Sequence, residues 1–168
     1  IMFPIILDTA RLKIVVVGDG PATKRRNALF KEAGIKTRWI KKVPAKKDLV
    51  SAEVVFVADF DLATSKKIYQ LGKEVGALVN VEDKKDLCDF HVPAIVRRGD
   101  LLLTVSTGGK SPRLARRIRQ QLEKLFPSQW AKRVAEISKK RLEWKNKGAG
   151  IEEISEATDE LLAKKGWM

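Results

Sequence analysis

The stretch Lys13-Ile14-Val15-Val16-Val17-Gly18-Asp19-Gly20-Pro21-Ala22-Thr23 decides the fold. Its first five residues are almost all apolar and β-branched, which is typical of a central parallel strand that is buried on both faces. The run ends abruptly at two glycines, and the following residues 24–33 are predicted to form a helix that Gly34 closes. A strand, a glycine turn and a helix in this order predict the first half of a β-α-β unit.

Further β-branched runs alternate with helical stretches along the first two thirds of the chain. They predict strands at 36–40, 53–58, 77–81, 93–96 and 101–106. Asp61 and Ser111-Pro112 are expected to begin two helices, which run to about Val75 and Leu125. From Pro127 onward only helical spacing remains. The sequence therefore predicts an α/β fold: a Rossmann-like parallel sheet, then a small strand-containing segment and a C-terminal helical region.

The composition adds a strong positive charge. The 168 residues include 34 Lys+Arg against 21 Asp+Glu, which gives a formal net charge of +13 and a pI near 10. Nucleic acids, phosphorylated cofactors and polycarboxylate small molecules would all satisfy such a charge. Cys88 is the only cysteine, and no apolar run has the roughly 18 to 20 residues that cross a bilayer. We therefore expect a cytoplasmic protein with no disulfide and no membrane partner.

The glycine turn is placed where a dinucleotide-binding loop belongs. Its first glycine allows the tight turn, and its second lets the backbone approach a pyrophosphate that rests on the helix N-terminus. Thr23 stands where the fingerprint has Gly or Ala, and the basic pair Lys41-Lys42 follows the second strand, where an acid would bind the ribose. Three readings stay open: a plain β-α turn, looser ribose recognition, or preference for a 2′-phosphate.

Polar residues also follow the predicted fourth strand. The chain that leaves the carboxyl end of a strand in such a sheet lies where ligands bind, so Asn80 and Asp83 are expected beside the cofactor. A carboxylate in that position can accept a proton. The alternative is that Asp83 only caps a turn in the charged stretch 82–86.

A second glycine-rich loop, Ser106-Thr107-Gly108-Gly109-Lys110-Ser111-Pro112, runs into a helix that carries several arginines. Free backbone N–H groups and guanidiniums that converge there suit carboxylates or phosphates. A solvated basic helix face is the alternative, and it is the reading we favour for Arg117 and Arg119. The spacing is not that of a P-loop.

Taken together, these motifs resemble the dehydrogenase/chelatase part of siroheme synthases and the free-standing precorrin-2 dehydrogenases. The likeness runs from about Phe3 to Pro127. It is carried by Phe3-Pro4, Leu7-Asp8, the first glycine loop, Val79-Asn80-Val81 with Asp83, Cys88-Asp89-Phe90 with Pro93 and Ile95, and Ser106–Pro112 with Leu114-Ala115-Arg116.

The resemblance implies NAD⁺-dependent oxidation of precorrin-2 to sirohydrochlorin and, in bifunctional members, insertion of Fe²⁺. Asp83 matches the catalytic aspartate of the family, which is thought to act as a base on the macrocycle. The residues that it assigns to the cofactor are Gly18, Asp19, Gly20, Pro21, Ala22 and Asn80. Those assigned to the polycarboxylate substrate are Thr107, Gly108, Lys110, Arg113 and Arg116.

The resemblance also implies a division of the chain. It predicts an NAD-binding Rossmann domain at 1–90, a dimerisation segment at 91–126 and a helical subdomain at 127–168, and hence a homodimer. It leaves the metal ligands unknown, and His91, the only histidine, is more simply read as structural. A basic nucleic-acid-binding module and a nucleotide-sensing Rossmann domain without catalysis remain the competing functions. No nucleic-acid motif is present, so we expect no nucleic-acid partner.

Overall fold

The computed structural model describes residues 2–168, which divide into two compact units at Val92–Pro93. The first unit contains a sheet of four parallel strands in the order β2-β1-β3-β4. The strands are β1 (Ile14–Val17), β2 (Thr37–Ile40), β3 (Val54–Val57) and β4 (Leu78–Val81). Every residue of the central strands β1 and β3 is buried, as their unbroken apolar runs predict.

Alternate residues of the strands fill two apolar clusters, one on each face of the sheet. Val15 and Val17 pack on one face with Ile68 of a covering helix, while Ile14 and Val16 pack on the other. Because both faces are covered, the apolar side chains of the central strands are closely packed on either side of the sheet.

Two helices flank this sheet, α1 (Pro21–Glu32) and α2 (Leu62–Glu74). The start of α1 lies three residues before the predicted one, because Pro21 occupies the first helical position, where its missing N–H is not needed. The predicted cap of α2 is confirmed: Oδ1 of Asp61 accepts a hydrogen bond from the backbone N–H of Thr64 at 2.8 Å.

The strand order creates a topological switch point between β1 and β3. From β1 the chain moves outward to β2 and then returns to the opposite side of β1 to form β3. Ligands of open parallel sheets bind in the crevice outside the carboxyl ends at such a point. The glycine turn after β1 and the residues that follow β3 meet there.

The second unit begins with an antiparallel hairpin of β5 (Ala94–Arg98) and β6 (Leu101–Val105). Gly99 in its turn has a φ of 60°, which favours glycine. Three helices follow: α3 (Pro112–Leu125), α4 (Trp130–Asn146) and α5 (Ile151–Lys165). Helix α3 packs against both strands, and α4 contacts both β6 and α5.

The predicted α/β fold is therefore confirmed, with the Rossmann-like sheet, the small strand pair and the C-terminal helices in the expected order. The N-cap at Ser111 with Pro112 in the first helical position is also confirmed, since Oγ of Ser111 accepts the N–H of Leu114. The predicted segments 91–126 and 127–168 fall almost wholly within the second unit. That 91–126 joins two copies of the chain stays a prediction.

Candidate functional site

The glycine turn after β1 is held tightly in place. Gly18 has a φ of 135°, and its N–H donates to the carbonyl of Ile40 at 2.9 Å. A Cβ at this position would overlap both the carbonyl oxygen of Ala58 and Oγ1 of Thr23. Only glycine fits, because both the backbone angle and the space exclude a side chain.

Thr23 explains how the turn works without the third glycine of the fingerprint. It lies one turn into α1 and is fully buried. In the usual motif a small residue here lets the helix pack closely on the strand. In this chain the bare Cα of Gly18 makes the room instead, since it faces the Thr23 hydroxyl.

A residue that the sequence did not single out, Asp59, completes this corner. It follows β3 and has a φ of 65°, and its carboxylate reaches the start of α1. Oδ2 accepts the N–H of Thr23 at 2.8 Å and the Thr23 hydroxyl at 2.6 Å, while Oδ1 accepts the N–H of Ala22 at 3.2 Å. Its position directly after a strand, at the switch point of the sheet, is the feature by which Asp59 could have been identified from the sequence.

Asp59 is held as an anion. Burial opposes its ionisation, but the hydrogen bonds from the side chain and backbone of Thr23 and from the backbone of Ala22 outweigh it, and its pKa is lowered. The start of α1 therefore binds the carboxylate of Asp59, as helix N-termini bind anions.

The end of β2 lies over the same turn. Nε1 of Trp39 donates to the carbonyl of Gly18 at 2.6 Å, and Nζ of Lys41 lies 4.7 Å above the Trp39 ring. The same ammonium is 3.7 Å from Oδ1 of Asp19. A basic residue thus stands where the fingerprint has its ribose-binding acid, and it pairs with an acid of the turn itself.

Asp83 occupies the carboxyl end of β4, at the same edge of the sheet as the glycine turn. It is exposed, with a φ of 61°, and its carboxylate has no hydrogen-bond or ion-pair partner among residues 2–168. The adjacent Glu82 differs, because it pairs with Arg26 at 3.5 Å and Arg25 at 3.7 Å. Among the described residues, Asp83 therefore has an unpaired carboxylate, as does Asp86 of the same loop.

Asn80 is buried within β4 rather than exposed at its end. Its Nδ2 donates to the carbonyl of Phe90 at 2.8 Å, which fixes the segment 88–90 against the strand. The Cys88 thiol donates to the carbonyls of Val81 and Lys84, and burial raises its pKa. The prediction that Asn80 contacts the cofactor remains untested.

Asp89 ties the same segment to helix α2. Its Oδ2 accepts from Nζ of Lys73 at 2.9 Å and from the N–H of Val79 at 2.8 Å, and its Oδ1 accepts from the Tyr69 hydroxyl at 3.2 Å. Burial opposes its ionisation, yet these donors, Lys73 first, lower its pKa. In the sequence, Cys88-Asp89-Phe90 is only a family motif, and in the structure its central aspartate joins this segment to α2 and β4.

In the second unit, the glycine-rich loop before α3 orders its own backbone. Gly108 and Gly109 have φ values of 62° and 77°, Oγ of Ser106 accepts the N–H of Gly108, and Oγ1 of Thr107 accepts the N–H of Ser111. The predicted substrate cations Lys110, Arg113 and Arg116 are exposed, and none has a carboxylate partner in the part of the chain that the structure describes.

Arg98, another basic residue of the second unit, has a structural partner. Its Nε donates to the carbonyl of Phe126 at 2.8 Å, at the carboxyl end of α3. Within residues 2–168, no three His, Cys, Asp or Glu side chains converge on a metal position. None of the described helices combines the length and apolarity required to cross a bilayer.

Two family models match consecutive parts of the chain. Residues 5–94 match the family described as "Putative NAD(P)-binding", and residues 98–125 match "Sirohaem biosynthesis protein central". The first covers the whole sheet of the first unit, and the second covers the last residue of β5 and all of β6 and α3.

The chain is also similar to curated proteins. It is 32% identical over 149 residues to a siroheme synthase of Nitrosococcus oceani, which covers 77% of this chain and 32% of that protein. It is 31% identical over 157 residues to a siroheme synthase of Zymomonas mobilis, covering 82% of this chain and 33% of that protein. The chain thus spans about a third of the length of these relatives.

A solved structure named "SirC, precorrin-2 dehydrogenase" superposes with a TM-score of 0.76 at 23% identity, over 96% of this chain and 89% of that one. At that identity the likeness concerns the fold.

Proposed function

Because the chain belongs to the NAD(P)-binding family of siroheme biosynthesis proteins, we propose that it is a precorrin-2 dehydrogenase that uses NAD⁺. The observation that carries the proposal is the free carboxylate of Asp83, exposed at the same edge of the sheet as a glycine turn whose helix start binds an oxyanion. A nicotinamide cofactor and a proton acceptor are the two components that the reaction requires.

The residues at the switch point fit a dinucleotide. The carboxylate of Asp59 stands in for a phosphate oxygen: it takes backbone N–H groups of α1 that a pyrophosphate would use. We propose that Gly18, Asp19, Gly20, Pro21 and Ala22 hold the cofactor, and that Asn80 contributes its carbonyl oxygen, since its amide nitrogen is bonded to Phe90. The bound cofactor supplies the hydride acceptor.

Asp83 is the proposed base. Oxidation of precorrin-2 removes a hydride, which the cofactor accepts, and a proton, which Asp83 accepts. Its carboxylate has no internal partner in the described chain, and three nearby cations are engaged with other groups: Arg25 and Arg26 pair with Glu82, and Nζ of Lys84 donates to the carbonyl of Phe60.

The substrate explains part of the basic surface. Precorrin-2 carries many carboxylates, and Lys110, Arg113 and Arg116 offer exposed cations with no internal partner in the described chain. Thr107 and Gly108 belong to the glycine-rich loop that contains Lys110 and leads into α3, which carries Arg113 and Arg116. We assign the positive charge to this tetrapyrrole rather than to nucleic acid, and we place the protein in the cytoplasm as a homodimer.

We further propose that Fe²⁺ is a second substrate. Metal insertion releases the pyrrole protons of sirohydrochlorin, and the same carboxylate that accepts a proton in dehydrogenation can accept them. Asp83 would then be the proton acceptor in both reactions.

The test is an anaerobic incubation of the protein with precorrin-2 and NAD⁺, with NADH and the sirohydrochlorin spectrum followed together. Fe²⁺ or Co²⁺ is added afterwards, and NADP⁺ replaces NAD⁺ in a parallel arm. Formation of NADH and sirohydrochlorin in equal amounts supports the proposal. Failure of both steps, together with salt-sensitive binding of a DNA duplex, would favour the nucleic-acid function instead.

A further inference from the structure

The first turn of α1 has few free donors. Gly20 is the N-cap, Pro21 has no N–H, and the N–H of Lys24 is already bonded to the carbonyl of Gly20. The backbone N–H groups at the start of α1 that have no partner within the helix are therefore those of Gly20, Ala22 and Thr23. Asp59 accepts hydrogen bonds from Ala22 and Thr23. Two of the three donors that a cofactor pyrophosphate would need are therefore occupied by the chain's own carboxylate.

The side chain of Asp59 also takes space at the turn. A Cβ added to Gly20 would overlap Cβ and Cγ of Asp59, so the aspartate lies against the bare Cα of this glycine. The fingerprint keeps that second glycine bare so that a pyrophosphate can approach the backbone. Asp59 and an incoming pyrophosphate thus compete for space and donors, and like charges repel at this range.

Asp59 differs from an ordinary helix cap. Asp61 caps its own helix α2 through Thr64, only three residues away. Asp59 instead reaches a helix start 36 residues earlier in the chain, from a left-handed backbone that residues other than glycine rarely adopt. Such geometry persists only where the surrounding structure imposes it, and it is concentrated at functional sites.

We propose that Asp59 is an internal competitor of the cofactor pyrophosphate, so that a dinucleotide binds only when the Asp59 side chain leaves the start of α1. Asp59 thereby sets the affinity for the cofactor, because the apparent Kd rises as the binding-competent fraction falls. The inference rests on the dinucleotide binding proposed above. Asp59 is thus an affinity-determining residue that contacts the glycine turn from the loop after β3.

The experiment compares NAD⁺ binding by calorimetry to the full chain and to Asp59→Asn and Asp59→Gly. Asparagine and glycine both tolerate the left-handed backbone of position 59, so each removes the charge without strain. We expect the Kd for NAD⁺ to fall about tenfold or more, the change that corresponds to about 1.4 kcal/mol. The matched control is Asp61→Asn, which removes an acid two residues away, keeps a side chain that can cap the helix, and should leave the Kd unchanged.

A second measurement follows the backbone amide resonances of Ala22 and Thr23. In the wild type they should shift on addition of NAD⁺, as the carboxylate is replaced by phosphate oxygens. Wild-type binding with no gain in either Asp59 variant overturns the inference and leaves the proposed function intact. No binding by any of the four folded proteins overturns the proposed function, and the inference with it. Binding by the variants alone supports the inference in its strongest form.

Discussion

Two aspartates at the carboxyl edge of the sheet share an unusual backbone and have opposite surroundings. Asp59 and Asp83 have φ values of 65° and 61°, yet Asp59 accepts three hydrogen bonds, whereas Asp83 accepts none from the described residues. The bonded carboxylate is a poor proton acceptor because its donors stabilise the anion. The free one is the better candidate for a base.

Replacement of Asp83 by Asn should remove dehydrogenation and leave cofactor binding unchanged. Asn tolerates the left-handed backbone, so the loop keeps its shape. A general base contributes about 100-fold to 10,000-fold to a rate, and we expect kcat to fall by at least the lower value. Steady-state NADH formation and NAD⁺ calorimetry measure the two effects. The control is Asp86→Asn, an exposed acid of the same loop, and full activity of Asp83→Asn would exclude the proposed role.

The cluster around Asp89 predicts a dependence of stability on pH. The pKa of Asp89 is lowered in the folded protein, so its contribution is present above the ordinary value of about 3.9 and is lost as the pH falls through the lowered value. Hydrogen bonding to Asp89 raises the pKa of Lys73, and burial raises that of Tyr69. Their contributions are therefore present below the ordinary values of about 10 and are lost as the pH rises through the raised ones.

Asp89→Asn should consequently lower the free energy of unfolding at pH 7 by roughly 1 to 3 kcal/mol, because Lys73 and the N–H of Val79 lose a charged acceptor. The deficit should be smaller at pH 3 than at pH 7, because the wild type begins to lose the same contribution once the pH falls below the ordinary value of about 3.9. Urea unfolding at pH 3, 7 and 9 measures it, with Asp86→Asn as the exposed control. A deficit that is equal at all three pH values would contradict the assigned cause.

At the scale of elements, helix ends position the loops that carry chemistry. Pro21 begins α1 directly after the glycine turn, Asp61 begins α2, and Ser111 with Pro112 begins α3. At each start a side-chain oxygen accepts backbone N–H groups that have no partner within the helix: Asp59 at α1, Asp61 at α2 and Ser111 at α3. At the opposite end of α3, Arg98 of β5 donates to the carbonyl of Phe126, where a cation also complements the helix dipole.

Arg98→Ala should destabilise the second unit, because it removes charge-assisted hydrogen bonds that join β5 to α3. Such bonds contribute about 1.5 to 3 kcal/mol each, so the variant should unfold at a distinctly lower temperature. Thermal unfolding followed by circular dichroism measures the shift. Arg97→Ala is the matched control, since Arg97 is the neighbouring exposed arginine on the same strand. Equal melting temperatures of the two variants would show that the bonds to α3 contribute little.

At the scale of the whole molecule, the positive charge is spread over both units but is larger in the second. Residues 93–168 contain 17 Lys+Arg against 9 Asp+Glu, and residues 1–92 contain 17 against 12. The first unit uses several of its cations in internal pairs, such as Arg26 with Glu82 and Lys73 with Asp89. The exposed cations of α3 and its preceding loop remain available to the proposed anionic substrate.

Salt should therefore weaken substrate capture more than catalysis. The Debye length falls from about 10 Å at 0.1 M to about 3 Å at 1 M salt, which screens exposed charges. We expect the KM for precorrin-2 to rise severalfold over this range, with a much smaller change in kcat. The Arg113→Gln and Arg116→Gln double variant should have a high KM at low salt and a weaker salt dependence. A KM that does not change with salt would show that the exposed charges do not contribute to substrate binding.

The sequence by itself determined the α/β fold, the glycine turn and the helix starts at Asp61 and Ser111, because apolar periodicity and caps are local properties that neighbouring residues report. It also determined the family, since the motifs occur in a fixed order. Only the tertiary structure decided which polar groups meet: Asp59 with the start of α1, Asp89 with Lys73, and Arg98 with the end of α3. Those pairs join residues 16 to 36 positions apart, so they depend on how the packed elements align and not on local pattern.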